Sequence, residues 1–153
     1  MDKKIKIVLV DDNEDYLFTM KTFLERNGFE ALSATNEQDG VELIQKEHPD
    51  IVLLDVMMES LFSGFEVCRA IRTNPDTEEI PIIGISAMGE ALNIEFDQWR
   101  DYQYFSPNEF VEKPVDKENL LSVIKEVLQK AKKDQKRPKW KKDLDESYKK
   151  GQY

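Results

Sequence analysis

The sequence predicts an α/β fold built on an open parallel sheet, and three observations carry this prediction. Short apolar runs alternate along the chain with stretches in which apolar residues recur every three to four positions, which is typical of alternating strands and helices. Five strands and five helices fit this alternation. Four of the apolar runs end on an acidic, hydroxyl or amino side chain. Ligands bind beyond the carboxyl ends of the strands in such sheets, so these polar residues are expected to meet there.

The first half of the chain is predicted to form three strands separated by two helices. In chain order these are a strand over 5–10, a helix over 13–27, a strand over 29–34, a helix that begins near 35 and a strand over 51–54. Asn27-Gly28 ends the first helix, because both residues tolerate left-handed backbone angles. The spacing Thr35-x-x-Gln38 is that of a capping box and predicts the start of the second helix.

The second half is predicted to continue the alternation with three helices and two strands. In chain order these are a helix over 63–74, a strand over 80–85, a helix over 88–101, a strand over 110–112 and a helix from about 116. Ser63-x-x-Glu66 is a second capping box. The last helix carries a continuous apolar stripe, formed by Leu120, Leu121, Ile124, Val127 and Leu128.

Length and charge indicate one acidic domain followed by a basic extension. We assign the domain to 1–129 and the extension to 130–153; their net charges are −15 and +6. An acidic domain disfavours direct contact with nucleic acid, whose phosphates need cationic partners. The single cysteine, Cys68, excludes an intrachain disulfide and is expected to be a buried apolar residue. No apolar run approaches the ~20 residues that span a bilayer, so a cytoplasmic protein is expected.

The basic extension carries three apolar residues at helical spacing. Trp140, Leu144 and Tyr148 are four residues apart and would lie on one side of a short helix. One interpretation is a solvated continuation of the last helix, or a linker. The other is a docking element for a partner, for an anionic membrane surface or for the acidic domain itself.

Three carboxylates are predicted to share one rim of the sheet. Asp11 and Asp12 follow the first strand directly, and Asp55 follows the third. A role as the cap of the helix over 13–27 would explain either Asp11 or Asp12, but it does not explain all three aspartates. Two such charges about 5 Å apart repel by about 3 kcal/mol at an effective dielectric constant of about 20. A cation is therefore expected among them, and hard oxygen donors suit Mg²⁺.

A hydroxyl group and an ammonium group are expected at the same rim of the sheet. Ser86, after the fourth strand, carries the hydroxyl, and Lys113, after the fifth, carries the ammonium. A carboxylate beside Mg²⁺ can act as the nucleophile in phosphoryl transfer and form an aspartyl phosphate. The transferred group is negatively charged, so positioned cations and donors stabilise it. The constellation therefore indicates phosphoryl transfer.

Other phosphate-binding classes fit the sequence less well. The loop after the first strand, 11–15, is acidic and would repel the phosphate of a flavin mononucleotide. No glycine-rich dinucleotide or nucleotide-phosphate motif is present. A haloacid-dehalogenase-type phosphatase needs an aspartate two residues after its nucleophile, where this chain has Met57. The lone histidine, His48, precedes a proline and is expected to be an exposed loop residue.

Taken together, these features resemble the receiver domain of two-component response regulators, including single-domain chemotaxis regulators. The resemblance covers about 4–129. Its motifs are Val8-Leu9-Val10-Asp11-Asp12-Asn13, Leu53-Leu54-Asp55-Val56-Met57-Met58, Gly64-Phe65-Glu66-Val67-Cys68-Arg69, Ile85-Ser86-Ala87 and Phe110-Val111-Glu112-Lys113-Pro114. It implies a flavodoxin-like, doubly wound sheet of five parallel strands in the order 2-1-3-4-5.

The resemblance also implies a role for each residue of the predicted pocket. Asp55 is the phosphoacceptor. Asp11 and Asp12 hold Mg²⁺ together with Asp55 and the backbone carbonyl of Met57. Lys113 contacts the phosphoryl group, and its bond to the following proline is expected to be cis.

A conformational switch follows from the same resemblance. Ser86 is expected to bond the new phosphoryl oxygens, and Phe110 to rotate into the space that this movement vacates. The changed surface is the face built from the fourth predicted helix, the fifth strand and the fifth helix. The segment from Ser86 to Lys113 is about five residues longer than usual in this family. Bulky Met57 and Met88 near the phosphoryl group predict slow self-dephosphorylation.

The expected function is that of a signalling switch rather than an enzyme. A histidine kinase or a histidine phosphotransfer protein would supply the phosphoryl group to Asp55. The switched face, through Ser86 and Phe110, would then bind a downstream protein. No DNA-binding output domain is expected in this chain. A phosphorelay intermediate or phosphate sink, which passes the group to a second histidine protein, stays open as the alternative. The oligomeric state is also left open.

Overall fold

The computed structural model describes residues 3–56, 58, 63–86 and 108–135. Strands and helices alternate along these residues, except between the last two strands, where 87–107 lie outside the described part. The elements in chain order are β1 Lys6–Val10, α1 Glu14–Arg26, β2 Glu30–Ala34, α2 Glu37–Glu47, β3 Ile51–Asp55, α3 Ser63–Arg72, β4 Ile82–Ser86, β5 Glu109–Glu112 and α4 Lys117–Gln135. The helix predicted over 88–101 falls among the residues that are not described.

The five strands form one parallel sheet in the order β2-β1-β3-β4-β5. This confirms the predicted architecture and strand order. Val10 of β1 pairs with Leu54 of β3, so the carboxyl ends of these two central strands lie side by side. Asp55 pairs with Ile85 of β4. One rim of the sheet therefore collects the residues at the carboxyl ends of β1, β3, β4 and β5.

Side chains alternate between the two faces of the sheet and build two separate hydrophobic clusters. Ile7 and Leu9 of β1 pack with the apolar stripes of α1 and α4. Val8 and Val10 point the other way and pack with α2 and α3. Cys68 of α3 is fully buried in the second cluster, as expected. Helices thus cover both faces, which makes the fold doubly wound.

Two asparagines cap α1 and α2, in place of the residues that the sequence suggested for this role. The Asn36 side chain accepts a hydrogen bond from the Asp39 backbone N–H at 2.8 Å, so Asn36 caps α2 and the capping box that starts at Thr35 is wrong. Asn13 caps α1 by accepting from the Tyr16 N–H at 3.0 Å. Neither aspartate after β1 is therefore the cap of this helix.

The start of β5 is tied to β4 and to the end of α3 by a small polar cluster. Asn108 Oδ1 accepts hydrogen bonds from the backbone N–H of Ile82 at 2.8 Å and from Arg72 Nη2 at 3.1 Å. Arg72 Nη1 also donates to the carbonyls of Glu78 and Ile80. These bonds fix the position of β5, which carries Lys113 at its end.

The last helix continues into the basic extension. α4 ends at Gln135, six residues beyond the predicted boundary at 129. Its apolar stripe is confirmed: Leu120, Ile124 and Val127 are buried against the sheet. The remainder of the extension, with its three apolar residues, lies outside the described residues. Within the described part of the chain, no helix has both the length and the apolar character needed to cross a membrane.

Candidate functional site

Three predicted site residues meet at the carboxyl rim of the sheet. Asp11 follows β1 directly, Asp55 is the last residue of β3, and Lys113 follows β5 directly. Lys113 Nζ lies 3.0 Å from Asp11 Oδ2 and 3.4 Å from Asp55 Oδ2. These contacts join residues 102 and 58 positions apart in sequence. The predicted convergence of these three residues is therefore seen in the structure.

The third carboxylate completes an acidic cluster. One carboxylate oxygen from each of Asp11, Asp12 and Asp55 lies within 4.8 Å of the others. Asp11 and Asp55 are 3% and 5% exposed, whereas Asp12 faces solvent. Three carboxylates and the single ammonium of Lys113 leave a formal charge of −2. Because burying like charges is costly, this cluster has the donors and the charge for a divalent cation.

The loop after β1 fixes the orientation of Asp11. Its backbone N–H donates to the carbonyl of Ala34 in β2 at 3.2 Å, which extends the strand pairing by one residue. Its Oδ1 accepts from the Asn13 N–H at 2.9 Å. Oδ2 is thereby turned towards Lys113. The two oxygens have different roles, one in the loop and one in the pocket.

Lys113 is held as a cation. Burial acts to lower its pKa, but the hydrogen bond to Asp11 and the negative charge of Asp55 outweigh this effect. The pKa of Lys113 is therefore raised above its usual value, and its ammonium can neutralise one negative charge of the pocket. The peptide bond between Lys113 and Pro114 is cis, as the resemblance implied.

Tyr16 is a neighbour of the pocket that the sequence analysis did not identify. The centroid of its ring lies 4.5 Å from Lys113 Nζ. Its hydroxyl is buried and has no hydrogen-bond partner among the described residues. Burial raises the pKa of this hydroxyl, and the charges of Asp11 and Asp55 raise it further. One signal in the sequence could have identified Tyr16 as a neighbour of the pocket: it lies in the first turn of the helix that follows the acidic loop 11–15.

The two predicted switch residues lie on neighbouring strands. Ser86 ends β4 and pairs with Glu112 of β5; its side chain is outside what the structure describes. Phe110 of β5 pairs with Gly84 and is half-buried. A Cβ on Gly84 would stand 2.9 Å from Phe110 Cε1, so the absence of a side chain there leaves space for the ring.

Two further sequence predictions concern Met57 and His48. Met57, the expected source of a backbone carbonyl ligand, lies outside the described residues, as does Met88. His48 is exposed and ends α2 in a left-handed conformation with φ of 46°. It lies between the end of α2 and the start of β3 and is an exposed loop residue, as predicted.

Comparison with known proteins gives matches over most of the chain. The model of the response regulator receiver domain family matches residues 7–125. Protein PilH of Pseudomonas aeruginosa is 35% identical over 124 residues, which cover 80% of this chain and 97% of PilH. The phosphate regulon transcriptional regulatory protein PhoB of Rhizobium meliloti is 32% identical over 127 residues. The match covers 53% of PhoB, so this chain spans about half the length of that relative.

Solved structures agree with the fold. Chemotaxis protein CheY4 of Vibrio cholerae has a TM-score of 0.71 at 22% identity, and the match covers 82% of this chain and 99% of CheY4. A response regulator from Desulfuromonas acetoxidans has a TM-score of 0.68 at 29% identity, with 81% and 96% covered. The likeness to CheY4 shows the fold alone, whereas the family model and PilH match the sequence itself. The chain belongs to the response regulator receiver domain family.

Proposed function

We propose that this receiver domain accepts a phosphoryl group on Asp55 and acts as a phosphorylation-controlled switch in two-component signalling. The observation that carries the proposal is the placement of the Lys113 ammonium between two buried carboxylates, Asp11 and Asp55. Asp55 is the one that ends a central strand, beside β4, whose last residue is the predicted switch residue Ser86. It also matches the phosphoacceptor position in the motif that resembles the family.

The proposed reaction is a transfer between two proteins. A carboxylate oxygen of Asp55 attacks the phosphorus of a phosphohistidine, the P–N bond breaks and a P–O bond forms. The nitrogen retains the electron pair of the broken bond, and nothing is oxidised or reduced. Charge builds on the phosphoryl oxygens during transfer. Lys113 is positioned to neutralise part of this charge, because it already touches Asp55.

The acidic cluster is proposed to hold Mg²⁺. Asp11, Asp12 and Asp55 supply the hard oxygen donors, and the backbone carbonyl of Met57 is a further proposed ligand from the resemblance. The bound ion would supply additional positive charge for the transferring group. Asp12 is exposed, so an arriving ion can reach it directly from solvent.

The output is proposed to run through Ser86 and Phe110. The Phe110 ring packs directly against Gly84, where a Cβ would stand only 2.9 Å from it, so the proposed rotation uses the space that Ser86 vacates. The movement would alter the face that contains β5 and α4, where a downstream protein would bind. The protein would act as a signalling switch rather than an enzyme, since its only chemistry is its own phosphorylation and slow dephosphorylation.

A histidine kinase or a histidine phosphotransfer protein is the proposed donor. His48 is a poor internal donor, because it sits at the end of α2 in a loop position. The relay alternative differs in one step, the passage of the group from Asp55 to a second histidine protein. Incubating phosphorylated protein with candidate histidine proteins separates the two functions.

The test is modification by a small phosphodonor such as acetyl phosphate in the presence of Mg²⁺. We expect the wild type to gain one phosphoryl group, seen by intact-protein mass spectrometry, and Asp55→Asn to gain none. Asp50→Asn is the matched control: it makes the same chemical change just before the opposite end of β3, where Asp50 accepts from the Lys6 N–H. An unmodified wild type, or Asp55→Asn modified at the wild-type rate, would refute the proposal.

A further inference from the structure

Tyr16 contacts the pocket from the first turn of α1, where its ring lies next to the Lys113 ammonium. We propose that Tyr16 is a positioning residue: its ring holds the Lys113 ammonium against Asp11 and Asp55. The effect of this contact on the rate of phosphorylation rests on the proposed function. The contact itself is a matter of geometry and can be tested without phosphorylation.

The ammonium of Lys113 has three N–H bonds, and two partners are hydrogen-bonded to it. Asp11 Oδ2 and Asp55 Oδ2 accept at 3.0 and 3.4 Å. The face of the Tyr16 ring, with its centroid 4.5 Å from Nζ, is the third neighbour. An aromatic face within about 6 Å attracts a cation, and the attraction grows where water is excluded. The Lys113 side chain is only 21% exposed, so water is largely excluded here.

The ring limits where the lysine can go. Lys113 follows directly after β5, and four rotatable side-chain bonds separate its ammonium from the backbone. The carboxylates alone would hold this ammonium only as long as their charge is available. Once a metal ion binds to Asp11 and Asp55, the attraction of these carboxylates for the ammonium weakens. The ring is neutral, so its hold on Lys113 persists when the carboxylates are engaged elsewhere.

A second lysine–aromatic pair, between Lys117 of α4 and Phe23 of α1, gives an internal comparison. Lys117 Nζ lies 5.4 Å from the centroid of the Phe23 ring, seven residues further along the same helix. Phe23 and Tyr16 are both half-buried and pack against the same hydrophobic cluster. Lys117, however, is exposed and lies outside the pocket. The two aromatic residues thus share their packing role, and only Tyr16 contacts the pocket cation.

The hydroxyl of Tyr16 is not the part that the positioning role uses. It is buried and lacks a hydrogen-bond partner among the described residues. Removing such an unpaired polar group is neutral or stabilising, because its desolvation is not compensated. Tyr16→Phe should therefore retain the function of the ring. Tyr16→Met should fill a similar space without an aromatic face.

The contact is tested by the ring-current shift of the Lys113 ε-methylene in nuclear magnetic resonance spectra of the full chain. Protons above an aromatic face are shifted upfield. We expect the upfield shift in the wild type, in Tyr16→Phe and in Phe23→Met, and its loss in Tyr16→Met. Absence of the shift in the wild type would overturn the proposal, and this result does not depend on whether any variant folds.

The kinetic consequence is tested with acetyl phosphate and Mg²⁺ on the same four proteins. We expect phosphorylation of Tyr16→Met to slow by about three- to tenfold, which lies within the range that the loss of a cation–π contact can produce. Tyr16→Phe and Phe23→Met should stay within about twofold of the wild type, since neither removes this contact.

Three kinetic outcomes would overturn the positioning role. Tyr16→Met could react at the wild-type rate. Tyr16→Phe could be slowed as much as Tyr16→Met, which would assign the effect to the hydroxyl. Phe23→Met could be slowed equally, which would assign it to core packing. Each differs from failure of the proposed function, in which the wild type itself is not phosphorylated.

Discussion

Individual residues at the carboxyl rim have defined and separable tasks. Asp11 divides its two oxygens between the loop and the pocket. Asp12 is the exposed member of the acidic cluster, and Asp55 is buried at the end of a central strand. Lys113 links the two buried carboxylates and balances part of their charge. Removing any one of them should therefore produce its own pattern of effects on stability, metal binding and phosphorylation.

Lys113→Met tests the charge balance. In magnesium-free buffer the substitution leaves Asp11 and Asp55 facing each other without a cation, so we expect the free energy of unfolding to fall by about 1–3 kcal/mol. Added Mg²⁺ should restore part of the loss, because an ion that binds only the folded state stabilises it. Urea unfolding with and without Mg²⁺ measures both effects. Lys117→Met, at an exposed position, is the control; a similar loss there would contradict the account.

Gly84→Ala tests the space beside Phe110. The added Cβ would stand 2.9 and 3.0 Å from two atoms of the Phe110 ring. We expect a loss of about 1–3 kcal/mol in the free energy of unfolding, since overpacking forces the ring to move. In a Phe110→Ala background the same substitution should cost much less. Equal costs in the two backgrounds, measured by urea unfolding, would show that the ring is not the obstacle.

At the scale of elements, local capping determines where helices begin. The sequence offers Thr35 and Asn36 as adjacent candidates, and both residue types cap helices well. The structure selects Asn36, whose side chain accepts from the Asp39 N–H. The N-cap is the last residue with extended backbone angles before the helix begins. Asn36 is this residue, with φ of −149° and ψ of 169°. Short-range patterns cannot distinguish two neighbouring candidates of this kind.

Substituting each candidate separately tests this assignment. Asn36→Ala should lower the free energy of unfolding by about 1 kcal/mol, because the Asp39 N–H loses its acceptor. Thr35→Ala should cost less than about 0.5 kcal/mol if its side chain does not cap the helix. Thermal or urea unfolding of the two variants gives the comparison. A larger cost at Thr35 would restore the capping box that the sequence suggested.

At the scale of the whole molecule, the sheet topology was predictable and part of the site was not. Buried apolar runs that end on Asp11, Asp55 and Lys113 predicted both the parallel sheet and the meeting of these residues at one rim. Tyr16 was missed because an aromatic residue on the apolar face of a helix has the same pattern whether it packs in the core or against a lysine. Its contact depends on the distance between α1 and the end of β5, and sequence spacing does not contain that distance.

We propose that the fold makes Asp55 the acceptor among three clustered aspartates. The most direct test of this proposal is to treat the wild-type protein with acetyl phosphate and Mg²⁺, reduce it with borohydride, and map the peptides by mass spectrometry. Borohydride converts an aspartyl phosphate into homoserine and thereby marks the acceptor permanently. We predict homoserine at position 55 and unmodified aspartate at 11 and 12. Homoserine at 11 or 12, or at none of the three, would contradict the account.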